Sequence, residues 1–270
     1  TMRRRWDSPA LSDYRGTTFT FAEIATEIYR LHAIFEQVGL KPGDHVALAA
    51  KNSARWAIGF LAAVSYRAVA VPILSDFANQ DIQNLVAHSG SVVLLTERKM
   101  WEEMKSENMP SLAAAISTDD FSALYGRDCD IANVVAKCTA NIPKVFAADK
   151  KEEVTDYTFG DMDDLAIINY TSGTTSSPKG VMLTTRNLSS NIKFGLDNIP
   201  VEDDYTLMSM LPLAHMYGMA FEFLYPLCGG ARIYFLGKTP TPSVLLQALA
   251  DIKPYLLITV PLVMEKIFKG

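Results

Sequence analysis

The sequence predicts an α/β protein, and three observations predict it. Short apolar runs at residues 46–50, 69–74 and 92–95 begin roughly 23 residues apart, each the length of a buried strand. Segments whose apolar residues recur at helical spacing separate them. The same rhythm resumes after residue 164. Strand, helix and strand in that order is the pattern of a parallel sheet covered by helices. The chain is long enough to hold one. Its 270 residues are 49% hydrophobic and 20% charged, and a chain of this size buries about three quarters of its unfolded surface without disulfide or metal staples. Length alone allows one large domain or two small ones.

The elements follow in order. Thr20-Phe21-Ala22-Glu23 reads as a capping box, and Phe21, Ile24, Ala25, Ile28, Leu31 and Phe35 continue it as a helix toward Gly39. Pro42-Gly43-Asp44 turns the chain into the first strand. Asn52 or Ser53 caps a helix through about Ser65, and a third helix over about 81–87 precedes the strand at 92–95. Residues 97–164 form a less regular connecting region, with a strand at 112–116 and a weak apolar run at 134–137. Its end carries seven carboxylates between Asp149 and Asp164 against Lys150 and Lys151. Lacking the spacing of a calcium loop, they read as a solvated acidic loop. Strands then follow at 165–169, 181–183, 205–208, 231–235 and 255–259. Helices are expected near Thr185, over 215–224, over about 243–250 and from Pro261.

Composition excludes several classes of function. With 25 Lys and Arg against 30 Asp and Glu, the net charge of -5 opposes duplex nucleic-acid binding, whose affinity needs clustered positive charge. Cys129, Cys138 and Cys228 are three cysteines without C-x-x-C spacing, which suggests neither zinc nor a disulfide framework. A reducing cytoplasm fits that usage. Arg3, Arg4 and Arg5 are followed by no apolar stretch, so no secretory signal is expected. The most apolar region, 211–236, is interrupted by Pro212, His215, Glu222, Pro226, Gly229, Gly230 and Arg232 and is too polar to span a membrane. Peripheral contact with the inner membrane surface stays open. His32, His45 and His88 read as structural, and Asp81, Glu97 and Asp204 have no metal-ligand spacing. No G-x-G-x-x-G follows any expected strand, which disfavours a dinucleotide oxidoreductase.

The most informative stretch is Tyr170-Thr171-Ser172-Gly173-Thr174-Thr175-Ser176-Ser177-Pro178-Lys179-Gly180. Seven consecutive hydroxyl or glycine positions, then Pro-Lys-Gly, directly follow an apolar strand. Backbone N–H groups, hydroxyl donors and one ammonium are therefore delivered to one region, as a phosphate site requires. At an effective dielectric near 20, the ammonium contributes about 4 kcal/mol of attraction at 4 Å before desolvation. The loop is not a Walker A sequence. Pro178 stands where a glycine would be needed, Gly180 stands where Ser or Thr would be needed, and a strand follows instead of a helix.

This stretch resembles the phosphate loop of the AMP-forming adenylating superfamily of acyl-CoA synthetases, peptide-synthetase adenylation domains and firefly luciferase. Leu211-Pro212-Leu213-Ala214-His215, 31 residues after Gly180, resembles a second block of that superfamily, and Ala68-Val69-Ala70-Val71-Pro72-Ile73 an earlier one. His215-Met216-Tyr217-Gly218, Gly229-Gly230-Ala231-Arg232-Ile233-Tyr234 and Val260-Pro261-Leu262-Val263-Met264-Glu265-Lys266-Ile267 look most like long-chain fatty acid-CoA ligases. Two positions depart from the pattern. Ser176 stands where the loop usually has Gly, and Arg67 stands where Gly commonly precedes the Ala-Val-x-Val-Pro block; the latter reads as a local surface change.

The resemblance implies the layered αβαβα sheets and helices of the large N-terminal domain of adenylate-forming enzymes, incomplete in this chain. Residues 1–270 would be the N-terminal part of that domain. The Tyr-Gly-x-Thr-Glu block, the ribose-binding block, the hinge and the C-terminal lysine are not in the sequence, so the chain alone is expected to be inactive. The implied substrates and cofactors are ATP, Mg²⁺, coenzyme A and a fatty acid. Thr171, Ser172, Gly173, Thr174, Thr175 and Lys179 would hold the phosphates. Lys179 and His215 would be catalytic, and His215, Met216, Tyr217, Gly218 and Met219 would meet the acyl substrate. Aryl-CoA ligase, amino-acid adenylation domain and noncatalytic ATP-binding module remain as alternatives, and homodimer formation stays open.

Overall fold

The computed structural model describes residues 1–158, 160–171, 178–237 and 241–261. Eleven strands occur among them: β1 (Pro9–Asp13), β2 (Thr18–Thr20), β3 (His45–Ala49), β4 (Val69–Ile73), β5 (Val93–Thr96), β6 (Ala114–Ser117), β7 (Ala123–Gly126), β8 (Leu165–Thr171), β9 (Lys179–Thr184), β10 (Thr206–Ser209) and β11 (Arg232–Phe235). The chain divides into two compact units, each built around one sheet.

The unit formed by residues 23–51 and 55–187 carries a seven-stranded sheet in the order β7-β6-β5-β3-β4-β8-β9. Its five central strands are parallel, and β7 and β9 pair antiparallel at the two edges. β4 is buried at every position and β3 at all but its first, as strands covered on both faces must be. The helix Ala54–Ser65 approaches closely at Gly59, where a Cβ would lie 2.6 Å from Leu95 Cδ1. The helix Asn79–Ser89 closes on Gly90, whose φ of 66° lets its N–H reach Ala87 and the Ser91 N–H reach Val86.

Arg67 is more than the surface change expected. Its φ is 63°, in the left-handed region where glycine carries no penalty, which supplies the reason a glycine suits the position. The side chain reaches Asp164 at 3.2 Å. The acidic segment also departs from a plain loop. Residues Lys151–Val154 form a helical turn, Lys150 pairs with Glu153, and Asp163 accepts two bonds from Arg186. In the connecting region, the weak apolar run at 134–137 is part of a full helix, Ile131–Asn141, whose Asp130 cap accepts from Asn133 N–H.

The unit formed by residues 1–22, 52–54 and 188–270 carries a four-stranded sheet, β10-β11-β1-β2. β1 and β10 flank β11 in parallel, and β2 returns antiparallel beside β1. Neither β1 nor β2 is expected from the sequence, because PALSD and TFT show no apolar alternation. The first helical amides, of Phe21 and Ala22, bond to Ser8 and Trp6 carbonyls. The helix Pro242–Ile252 packs Leu245 and Ala248 against Met208 and Met210. The strand expected at 255–259 is not formed. Lys253 ends the helix in a left-handed conformation, and the segment makes one isolated bridge, Leu256 to Leu207. The helix expected from Pro261 falls on residues outside those described, apart from Pro261 itself.

Candidate functional site

β8 and β9 form an antiparallel hairpin whose last registered pair is Thr171 with Lys179. The hydroxyl-rich loop of the sequence is thus the connection across a hairpin end, and both its flanks are fixed by strand pairing. Ser172, Gly173, Thr174 and Thr175 lie outside the described residues. Thr171 and Lys179 are exposed, and no described residue pairs with the Lys179 ammonium. The flank is stiffened from below. Buried Tyr170 bonds through its hydroxyl to His88 Nδ1 at 2.7 Å, and the two rings meet edge to face. Burial pushes the Tyr170 phenol above its usual range. Gly180 is needed for packing: a Cβ there would lie 2.6 Å from Ile168 Cγ2 and 3.4 Å from the Tyr170 ring. His88, read as structural, therefore supports the residue that precedes the loop.

In the other unit, β10 runs into the turn Met210 to His215. His215 is the N-cap of the helical turn Met216–Gly218, its Nδ1 accepting from Tyr217 N–H at 3.3 Å. An accepting Nδ1 places the hydrogen of the neutral ring on Nε2, which makes the exposed edge of His215 a donor. The helix expected over 215–224 is a π-helix in its second part, Met219–Leu224, and reverts to α at Tyr225–Gly229. Tyr217 is 42% exposed and Met216 half-buried, whereas Met219 and Gly218 are buried beneath them. At Gly218 a Cβ would meet the Pro212 carbonyl at 2.7 Å. Phe221 lies between Tyr217 and Phe194, with ring centroids 5.3 and 6.5 Å away, and Phe194 is 56% exposed.

Two residues that hold this turn are missed from the sequence as functional candidates. Asn52, one of two residues expected to cap the helix, bonds its amide to the turn: Nδ2 donates to Leu211 C=O at 2.7 Å and Oδ1 accepts from Leu213 N–H at 2.9 Å. The Ala54 amide goes to Asp13 Oδ1. Glu222, 1% exposed, accepts through Oε2 from Ser209 Oγ, Met210 N–H and Leu211 N–H at 3.0, 3.0 and 2.8 Å. Burial drives its carboxyl up to about 8, against the opposing pull of these bonds. A signal existed in the sequence, since Glu222 is the lone carboxylate in the most apolar stretch. Among the described residues no group of three or more His, Cys, Asp or Glu could hold a metal ion.

A largely parallel sheet with an antiparallel edge hairpin in one unit, and a smaller sheet in the other, define an α/β protein. The chain belongs to the AMP-binding enzyme family, whose pattern matches residues 1–270. It is 30% identical over 262 residues to the probable acyl-activating enzyme 16, chloroplastic, of Arabidopsis thaliana, covering 94% of this chain and 36% of that protein. It is also 30% identical over 236 residues to long-chain-fatty-acid–CoA ligase 5 of Mus musculus, covering 83% of this chain and 33% of the relative. The crystal structure of apo MatB from Rhodopseudomonas palustris shares the fold, with a TM-score of 0.78 at 21% identity over 98% of this chain and 48% of that one. The chain therefore spans about a third of the length of these curated relatives. Among the described residues, no helix is long and apolar enough to cross a membrane.

Proposed function

We propose that this chain forms the N-terminal part of an AMP-forming acyl-CoA ligase acting on a long-chain fatty acid in the cytoplasm. The observation that carries the reading is the β8–β9 hairpin, whose last pair, exposed Thr171 and Lys179, brackets a run of hydroxyls and glycine that begins at Thr171 and ends at Ser177. In the proposed reaction the acid carboxylate attacks the α-phosphorus of ATP, the bond to the β,γ-phosphates breaks, and pyrophosphate leaves with an acyl-adenylate remaining. The coenzyme A thiol then attacks the acyl carbon, loses its proton, and AMP departs.

The chain's part is electrostatic. Lys179 neutralises charge growing on the leaving pyrophosphate, and the hydroxyls of Thr171, Ser172, Thr174 and Thr175 with the Gly173 amide donate to phosphate oxygens. Losing one preorganised donor of this kind costs about 2.7 to 4 kcal/mol in barrier. His215 donates from Nε2 to the acid's carboxylate, which orients it for attack. Met216 and Tyr217 contact the first part of the acyl chain, and Gly218 and Met219 support them from beneath. Exposed Tyr217 and Phe194, joined by half-buried Phe221, support an alkyl substrate, as does the long-chain ligase relative. Mg²⁺ supplies charge to the bound phosphates, and none of the described residues is assigned to it. Nor is any assigned to coenzyme A.

The test is coenzyme A-dependent AMP release by the full-length protein against acids of graded chain length. Turnover should rise toward long-chain acids. Release with short or aromatic acids and none with any long-chain acid would reject the substrate assignment.

A further inference from the structure

We propose that Glu222 is a positioning residue for acid activation, holding the His215 turn as an uncharged carboxylic acid. The inference rests on the reading of His215 as the group that meets the substrate carboxylate. It begins from an asymmetry in the carboxyl. Oε2 takes all three donors, from Ser209, Met210 and Leu211, while buried Oε1 has no hydrogen-bond partner among the described residues. Oε2 is filled by donors, so a proton held by this carboxyl would reside on Oε1.

Among the described residues, no cation is bonded to the Glu222 carboxyl. The elements packed against the Met219–Leu224 segment include β10, the turn Met216–Gly218, the helix Tyr225–Gly229, β11 through Phe235, whose Arg232 donates to Ser12 and Thr18, and, through Phe194, the helix Thr185–Asn198. Their other titratable groups include His215, Tyr217, Tyr225 and Cys228, none of them bonded to Glu222, together with Arg186, bound to Asp163, and Lys193 and Asp197, which pair with each other at 2.8 Å. A buried carboxylate without a cation is costly, and the retained proton removes the cost.

The path to His215 is short. Leu211 is clamped on both sides, its N–H by Glu222 and its C=O by Asn52. One residue further, the Pro212 carbonyl accepts the His215 N–H at 3.0 Å, and the His215 carbonyl accepts from Met219 N–H at 3.0 Å at the start of the π-helix that bears Glu222. The π register is rare and recurs at functional sites; here it presents Glu222 to the turn. A change at Glu222 therefore reaches His215 through three successive hydrogen-bonded backbone groups.

The experiment uses the full-length protein, with acid-dependent ATP–pyrophosphate exchange followed from about pH 6 to about pH 9.5. Glu222→Leu should lower kcat at least about tenfold, with the KM for ATP changed less than about twofold. Glu222→Gln, which keeps an accepting oxygen and cannot ionise, should restore most of that loss at neutral pH and lack the decline expected of wild type above about pH 8. A folded Glu222→Leu protein with wild-type kcat would overturn the proposal, as would a Gln variant that keeps the alkaline decline. If the Leu variant does not fold, the Gln pH profile decides alone. Wild-type protein without exchange for any carboxylic acid refutes the underlying function, whereas exchange that is indifferent to both variants refutes only the role of Glu222.

Discussion

Nδ1 of His215 accepts from the Tyr217 amide, so the neutral ring presents Nε2 as a donor with its orientation set by its own backbone. In the proposed function such a donor would orient an ionised carboxylate without having to remove a proton. Lys179 and His215 are legible in the sequence because each lies inside a local run of unusual composition. Asn52 and Glu222 are not, because their partners lie 159 and 161 residues away for Asn52 and 11 to 13 for Glu222, on segments whose meeting is a product of the fold. Arg67 shows the same limit. Its sequence position reveals an oddity, and only the backbone shows that φ is 63°. A non-glycine residue there costs about 1 to 2 kcal/mol, while its exposed ion pair with Asp164 contributes about 0 to 1. Arg67→Gly should therefore leave stability unchanged or raise it by up to about 1 kcal/mol, after the added chain entropy of glycine is subtracted. An unfolding free energy lowered by more than about 1 kcal/mol in denaturant titration would contradict this account of the turn.

Among the elements, β3, β4 and β5 are readable because central parallel strands are buried on both faces and so appear as continuous apolar runs. β1 and β2 lack that signature. They are short, their sheet is smaller, and β1, on which β2 pairs, takes its other partner from β11, more than 200 residues away. The segment 255–259 has the apolar composition of a strand, yet composition does not supply a partner edge, and a single bridge to Leu207 results. The hairpin β8–β9 is the element in which sequence and structure reinforce each other. The strand before the loop, the strand after it and the glycine at 180 are all visible in the sequence, and pairing and packing give each a reason. The π-helix is the opposite case, since no periodicity distinguishes it from the α-helix expected over 215–224.

For the whole molecule, half-buried His32 and buried Glu222 shape stability against pH. Burial holds His32 down to about 4 from 6.5, its Nε2 donating to Ala62 C=O and Ser65 Oγ, so the native form is neutral. Its contribution is complete above about pH 6.5 and is lost as pH falls through about 4. Glu222 has the opposite sign. Raised to about 8 from 4.5, it contributes fully below about pH 4.5 and loses that contribution as pH rises through about 8. The two slopes cancel between about 4.5 and 6.5, so the melting temperature should be level there and decline from about 6.5 to about 8. Glu222→Gln should abolish the alkaline decline; a decline of wild-type size in that variant would contradict the assignment. The central claim, however, is that the β8–β9 hairpin holds the phosphates of ATP while an acid is activated. Acid-dependent ATP–pyrophosphate exchange by full-length wild type and Lys179→Ala tests it most directly. The account predicts that the variant exchanges at least about tenfold more slowly, a barrier increase of about 1.4 kcal/mol, and exchange at the wild-type rate would contradict it.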